Sequence, residues 1–350
     1  MRQIENIILG RNLPPLKSKE EMLDILLKEV YGTMPEKPMN ITFSAEDEYD
    51  KANFLAGKAE LKKIDITSTI KGKDFTFPAY LTIPRKPGKY PFFVVINFRS
   101  NIPDKYIPAE ELIDNGFAVL SFNYEDVTSD DGDFENGLAG VIFENGKRDM
   151  TSPGKIAMWA WAAQRVMDYA ETCDMLDKEK CMVCGHSRLG KTALLAAATD
   201  ERFKMAYSND SGCTGAALSR GKKGETVQLI NETFPFWFAE NYKKYSDNED
   251  KLPLDQHYLI ASIAPRPVYV ASAKEDLWAD PISEMLTLVA ASEMYEKMGL
   301  SGFVCADKLP EAGDKYHEGN LGYHMRDGRH YLSRTDWNYV MEFFRKKFGI

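Results

Sequence analysis

Apolar positions along this chain keep two different periods, and the change from one to the other marks out its elements. Over 18–31, Leu23, Leu26, Leu27 and Val30 recur at helical spacing behind Ser18 and Glu21, which form a capping box. Residues 59–70 and 75–84 instead alternate in polarity around Lys71-Gly72-Lys73-Asp74, which predicts an antiparallel hairpin at the edge of a sheet. Residues 91–98 are nearly all apolar, as expected of a strand covered on both faces. A helix is predicted over 108–115, stopped near Gly116, and a strand over 118–124. Helix and strand alternate from there to the end, so the sheet should be mostly parallel.

One junction in that alternation carries chemistry. The apolar run Lys180-Cys181-Met182-Val183-Cys184 reads as a buried strand, and 192–198 is strongly helix-forming. Between them lies Gly185-His186-Ser187-Arg188-Leu189-Gly190-Lys191. A serine there sits at a helix N-terminus, where free N–H groups and the helix dipole favour developing negative charge. The second glycine comes one residue later than in the G-x-S-x-G elbow of serine hydrolases. The order of the downstream segments supports the serine nonetheless. Residues 266–272 predict a strand ending in Lys274-Glu275-Asp276, and 322–326 predict another, followed by Asp327-Gly328-Arg329-His330. A final helix begins at Ser333, capped through Asp336, with Trp337, Val340, Met341, Phe344 and Phe348 on one face. Serine, acid and histidine in that order, each after its own strand, is the arrangement of an α/β-hydrolase. Its sheet should carry helices on both faces.

Two segments break the alternation: 125–152, rich in Asp, Gly and Asn, and 211–253, mixed and aromatic. Both leave the sheet at strand C-terminal ends, so they are expected to wall the substrate site as long insertions. The whole chain, 1–350, is expected to form a single catalytic domain, with 1–57 as a helical and extended decoration. Composition narrows the partners. A net charge of −9 argues against nucleic acid, and no apolar run approaches the roughly 18 residues of a membrane span. The five cysteines, Cys181 and Cys184 among them, are expected to be free thiols. No export signal is legible in 1–16. The expected location is therefore cytoplasmic for the chain as written, and secreted if a leader precedes it.

The Ser-Arg-x-Gly-Lys core at 187–191 resembles the signature of the glucuronoyl esterases, family fifteen of the carbohydrate esterases. Further matching stretches are Asn209-Asp210-Ser211-Gly212, Gly224-Glu225-Thr226, Asp255-Gln256-His257, Ala264-Pro265-Arg266-Pro267 and Glu275-Asp276-Leu277-Trp278-Ala279-Asp280-Pro281. The resemblance implies cleavage of an ester of (4-O-methyl)glucuronic acid with a lignin-type alcohol, with no metal and no cofactor. It implies Ser187 as nucleophile, His330 as general base and Arg188 as oxyanion donor. Lys191, Glu225 and Trp278 fall where the family contacts the sugar. For the acid, Asp276 is preferred and Asp210, one strand earlier, is the alternative. His257 is expected to line the pocket, His324 to orient its surroundings, and His186 to lie on the wrong side of the turn for a base. Fungal members carry a cysteine at the position of His186 and bridge it to one beside the catalytic histidine. Tyr331 stands at that second position here, so no such bridge is expected. The substrate is expected to be a small or oligosaccharide uronate ester. A small-ester carbohydrate esterase and a non-catalytic carbohydrate binder are the competing classes.

Overall fold

The computed structural model describes residues 3–47 and 52–350. Ten strands form one sheet among these residues: β1 Asn40–Asp47, β2 Ala59–Ile70, β3 Lys73–Pro84, β4 Tyr90–Asn97, β5 Ala118–Asn123, β6 Leu176–His186, β7 Met205–Asn209, β8 Val268–Ala273, β9 Lys315–Tyr316 and β10 Leu321–Arg326. Their spatial order is β1-β2-β3-β5-β4-β6-β7-β8-β10-β9. From β5 to β10 every neighbouring pair is parallel, while β1, β2, β3 and β9 join antiparallel. The ten α-helices among the described residues are α1 Gln3–Gly10, α2 Lys19–Leu26, α3 Ala109–Asp114, α4 Gly137–Ile142, α5 Lys155–Thr172, α6 Arg188–Thr199, α7 Val227–Thr233, α8 His257–Ile263, α9 Pro281–Lys297 and α10 Arg334–Phe348.

Strand β4 explains why its sequence has no polar alternation. Phe92, Val94 and Ile96 enter one core, shared with α5, α6, α8 and α9. Phe93 and Val95 enter a second core on the opposite face, shared with α3 and α10. Both faces are dry, so every position must be apolar. On the second face Phe93 stacks on Phe117 and Trp337, with ring centroids 4.5 and 5.9 Å away, and Phe344 meets it edge-on at 5.4 Å. Each fully buried ring of this kind contributes on the order of 2 kcal/mol. That packing fixes α10, and α10 fixes the loop in front of it.

The hairpin β2/β3 forms where expected but is not the edge of the sheet. β1 pairs along the outer side of β2, from Asn40 opposite Thr69 to Asp47 opposite Lys62. Only Ile41 and Phe43 of β1 turn inward, too few apolar positions to stand out from a polar run. The helix expected over 18–31 is α2 with its Ser18–Glu21 capping box, continued as a π-helical turn over Leu27–Tyr31. The insertions are not bare loops, since 125–152 holds α4 and 211–253 holds α7 with three short 3₁₀ turns. No helix among the described residues is long and apolar enough to cross a membrane.

Candidate active site

Ser187 stands alone between the last residue of β6 and the first of α6, at φ 58° and ψ −128°. This left-handed conformation is costly for a residue with a side chain, and the surroundings impose it. Its N–H donates to the Asn209 carbonyl of β7 at 2.8 Å, which pins the turn to the neighbouring strand. The flanking glycines are required by close approach. A Cβ on Gly185 would lie 2.2 Å from the Leu189 carbonyl, and one on Gly190 would lie 2.8 Å from Ser208 Oγ. The late second glycine is thus the one that lets α6 settle against the strand beside it. Although Ser187 is the N-cap of α6, its hydroxyl makes no capping bond and is left for chemistry.

Eight of the nine residues singled out from sequence line one cavity of about 280 Å³ at the C-terminal edge of the sheet: Ser187, Arg188, Lys191, Asp210, Glu225, Asp276, Trp278 and His330. His330 Nδ1 donates to Asp276 Oδ2 at 2.6 Å. The histidine side chain is 44% exposed and the aspartate 5%, so one imidazole nitrogen is held from behind while the ring meets the cavity. Asp210 is engaged elsewhere. It accepts the Ala273 N–H at 2.7 Å, the Tyr331 N–H at 3.3 Å and the Arg326 guanidinium at 3.3 Å. Burial, then the carboxylates of Glu284, Asp336 and Asp276, push its carboxyl well above the usual range, against the pull of Arg326. Contact with the imidazole therefore singles out Asp276 as the histidine's partner. Ligand atoms of Asp210, Asp276 and His330 come within 4.8 Å of one another, a spacing a metal could use. Within the trio the hydrogen bond joins His330 to Asp276, while Asp210 bonds Ala273, Tyr331 and Arg326 instead.

Arg188 opens α6, where the first N–H groups have no intrahelical acceptor. Its Nη1 bonds Asp130, and its Nε is buried without a hydrogen-bond partner. Lys191, one turn on, is buried and donates to the carbonyls of Ser211 and Cys213 at 2.5 Å each. Burial lowers its affinity for a proton. An ammonium has three donors, so one remains, and Glu225 Oε2 stands 4.0 Å away. Trp278, which lines the same cavity, is 55% exposed. The Glu225 N–H donates to the Trp278 carbonyl at 3.0 Å, joining the two sugar-contact candidates.

His257 is not in the cavity, contrary to expectation. It is buried at the start of α8, where Nε2 donates to the Pro14 carbonyl at 3.0 Å and ties down the N-terminal segment. The expectation failed because the chain passing over α8 comes from a distant part of the sequence. His324 is buried between Tyr269 and Asp336, as a locally orienting residue should be. His186 bonds Asn209 at 2.6 Å, and its ring centroid lies 4.4 Å from that of His330. Burial lowers its pKa to about 3, so it stays neutral beside the exposed histidine. All five cysteines are free. Phe234 and Trp237 also line the cavity, and neither stands out in the sequence on its own. The signal was the run Phe234-Pro235-Phe236-Trp237-Phe238 inside an insertion already expected to form a wall.

Known proteins similar to this chain fall in one group. A family profile described as glucuronyl esterase, fungi, matches residues 66–299. The carbohydrate esterase MZ0003 from an unknown prokaryotic organism is 45% identical over 239 residues, 67% of this chain and 54% of its own length. The 4-O-methyl-glucuronoyl methylesterase of Podospora anserina is 27% identical over 80% of this chain and 56% of its own. The chain thus spans about half the length of these curated relatives. Among solved structures, a glucuronoyl esterase from Solibacter usitatus superposes with a TM-score of 0.87 at 31% identity, over 95% of this chain and 93% of that one. A promiscuous CE15 esterase from the marine bacterial metagenome superposes at 0.84 and 34%, over 94% and 90%.

Proposed function

The chain belongs to the glucuronyl esterase family, and from that premise we propose that it hydrolyses esters of (4-O-methyl)glucuronic acid with an alcohol, through an acyl-enzyme on Ser187. The observation that carries this reading is a single cavity holding both the elbow serine with its Asp276-backed histidine and the Lys191–Glu225–Trp278 group. The first set supplies acyl transfer, and the second supplies polar and flat apolar contacts for a sugar.

The scissile carbonyl is C6 of the uronate, so the sugar is the acyl half. Ser187 Oγ attacks it while its proton passes to His330. Asp276 holds the imidazole in the tautomer that can take that proton and stabilises the imidazolium. The oxyanion forms beside the Arg188 N–H and guanidinium at the positive end of α6, where a fixed donor typically contributes about 3 kcal/mol. Collapse breaks the bond to the alcohol, which leaves with the proton from His330. Water then gives a proton to the same histidine and attacks the acyl carbon, releasing the uronic acid and restoring Ser187. Through both halves the sugar stays beside Glu225 and Trp278, so its contacts can serve each transition state. The test is hydrolysis of benzyl glucuronate, expected from the unaltered chain and absent from a Ser187→Ala variant of equal melting temperature. Turnover that survives this substitution contradicts the reading.

A further inference from the structure

Asp130 lies in the insertion between β5 and α5, 58 positions before Arg188, and its side chain is only 8% exposed. One carboxylate oxygen accepts from Arg188 Nη1 and from the Tyr124 hydroxyl, the latter at 2.9 Å. The other accepts from Trp237 Nε1 at 2.6 Å. Trp237 in turn lies beside the guanidinium, with its ring centroid 4.8 Å from Arg188 Cζ, and stacks on Phe234 at 3.8 Å with a 1° angle between the rings. The loop carrying Asp130 is itself anchored, since Lys155 Nζ donates to Thr128 Oγ1 at 2.8 Å and to the Asp133 carbonyl at 2.5 Å. The guanidinium is thus gripped at one nitrogen and held along its face, while Nε stays buried and unpaired.

We propose that Asp130 is a positioning residue for acyl transfer: it orients the Arg188 guanidinium, and the aromatic wall beside it, toward the oxyanion. The inference rests on the reading of Arg188 as an oxyanion donor. An arginine side chain has several rotatable bonds and, unrestrained, would have to reorganise as charge develops on the carbonyl oxygen. Donors already aimed at that oxygen stabilise the transition state because no reorganisation is needed then. A carboxylate opposite Nη1 weakens the net charge but fixes its direction. Its second bond, to Trp237, makes the wall move with the donor or not at all.

The decisive experiment is a double-mutant cycle between Asp130→Asn and Arg188→Met on benzyl glucuronate. Asparagine keeps a carbonyl acceptor for Trp237 Nε1 and turns an amide toward Arg188. Asp130→Asn should lower kcat by roughly ten- to a hundredfold with KM within about threefold, because the loss is felt in the transition state. In the Arg188→Met background the same change should alter kcat by less than about twofold. A kcat loss under threefold for Asp130→Asn, or one that persists in full without Arg188, overturns the proposal. If Arg188→Met alone keeps its kcat, the oxyanion reading fails and this inference with it. If Arg188→Met is crippled and Asp130→Asn is not, only the inference fails. Should Asp130→Asn lose its cooperative melt, Asp130→Glu keeps the charge and shifts its aim, and the same thresholds apply.

Discussion

Two buried aspartates flank the candidate base, and their hydrogen bonds give them different work. Asp276 touches the His330 ring, whereas Asp210 holds the N–H of the next residue, Tyr331, and pairs with Arg326. Arg326 also donates to the carbonyls of Asp327, Arg329 and Tyr331, so the loop bearing His330 is fastened on both sides of it. Asp276→Asn should therefore lower kcat by on the order of 10³–10⁴, because an amide favours the wrong tautomer and cannot stabilise imidazolium. Asp210→Asn should cost less, since its main contacts are to backbone and to Arg326. Steady-state rates for both variants check this. An Asp210→Asn loss tenfold greater than that of Asp276→Asn would place the acid on the earlier strand. Ser187→Ala should cut kcat by on the order of 10⁶, and retention of more than about a tenth of the activity would remove Ser187 from the mechanism.

At the scale of elements, α9 places Glu284 beneath the cavity floor. One oxygen accepts the Gly212 N–H at 2.8 Å and the other the Ser272 hydroxyl at 2.5 Å, and burial raises its pKa to about 7. An unfolded glutamate titrates near 4.5. Between those values the folded chain keeps a proton that the unfolded chain has released, so the contribution is full below pH 4.5 and is lost as pH rises through about 7. Glu284→Gln is neutral at every pH; its carbonyl oxygen can accept the Gly212 N–H while its NH2 donates to the Ser272 hydroxyl oxygen. Relative to it, the unaltered chain should lose roughly 1–3 kcal/mol of stability between pH 5 and 8. Denaturant titrations at the two pH values measure the difference. A constant gap between the two proteins would mean that Glu284 does not titrate in this range.

The same scale explains what could be read from the chain alone. α10, with its Ser333–Asp336 capping box, and the β6–α6 elbow each carry a complete local signature, and both lie where expected. β1 offered only Ile41 and Phe43, and went unseen. Residues whose roles arise from partners far along the chain left no local trace. Asp130 sits in an Asp-rich stretch where nothing distinguishes it from Asp131 or Asp133, and the contact of His257 with Pro14 joins positions 243 residues apart. The aromatic wall lies between these cases: its insertion was legible, its members were not.

Taken as a whole molecule, one cavity holds Ser187 and His330 together with Lys191, Glu225 and Trp278, and the proposed function assigns the first two to a reacting end and the other three to a sugar end. Lys191 also holds two backbone carbonyls, so replacing it disturbs the cavity floor as well as any ligand. Trp278, more than half exposed, can be replaced with little expected cost to the fold. The central claim is that the sugar end recognises a uronate acyl group. The most direct measurement compares Trp278→Ala with the unaltered chain on benzyl glucuronate and on p-nitrophenyl acetate. The account predicts a fall in kcat/KM of roughly five- to a hundredfold for the glucuronate and almost none for the acetate, which reaches only the reacting end. Equal losses on both esters would contradict it and leave a general esterase in which Trp278 supports the site's shape.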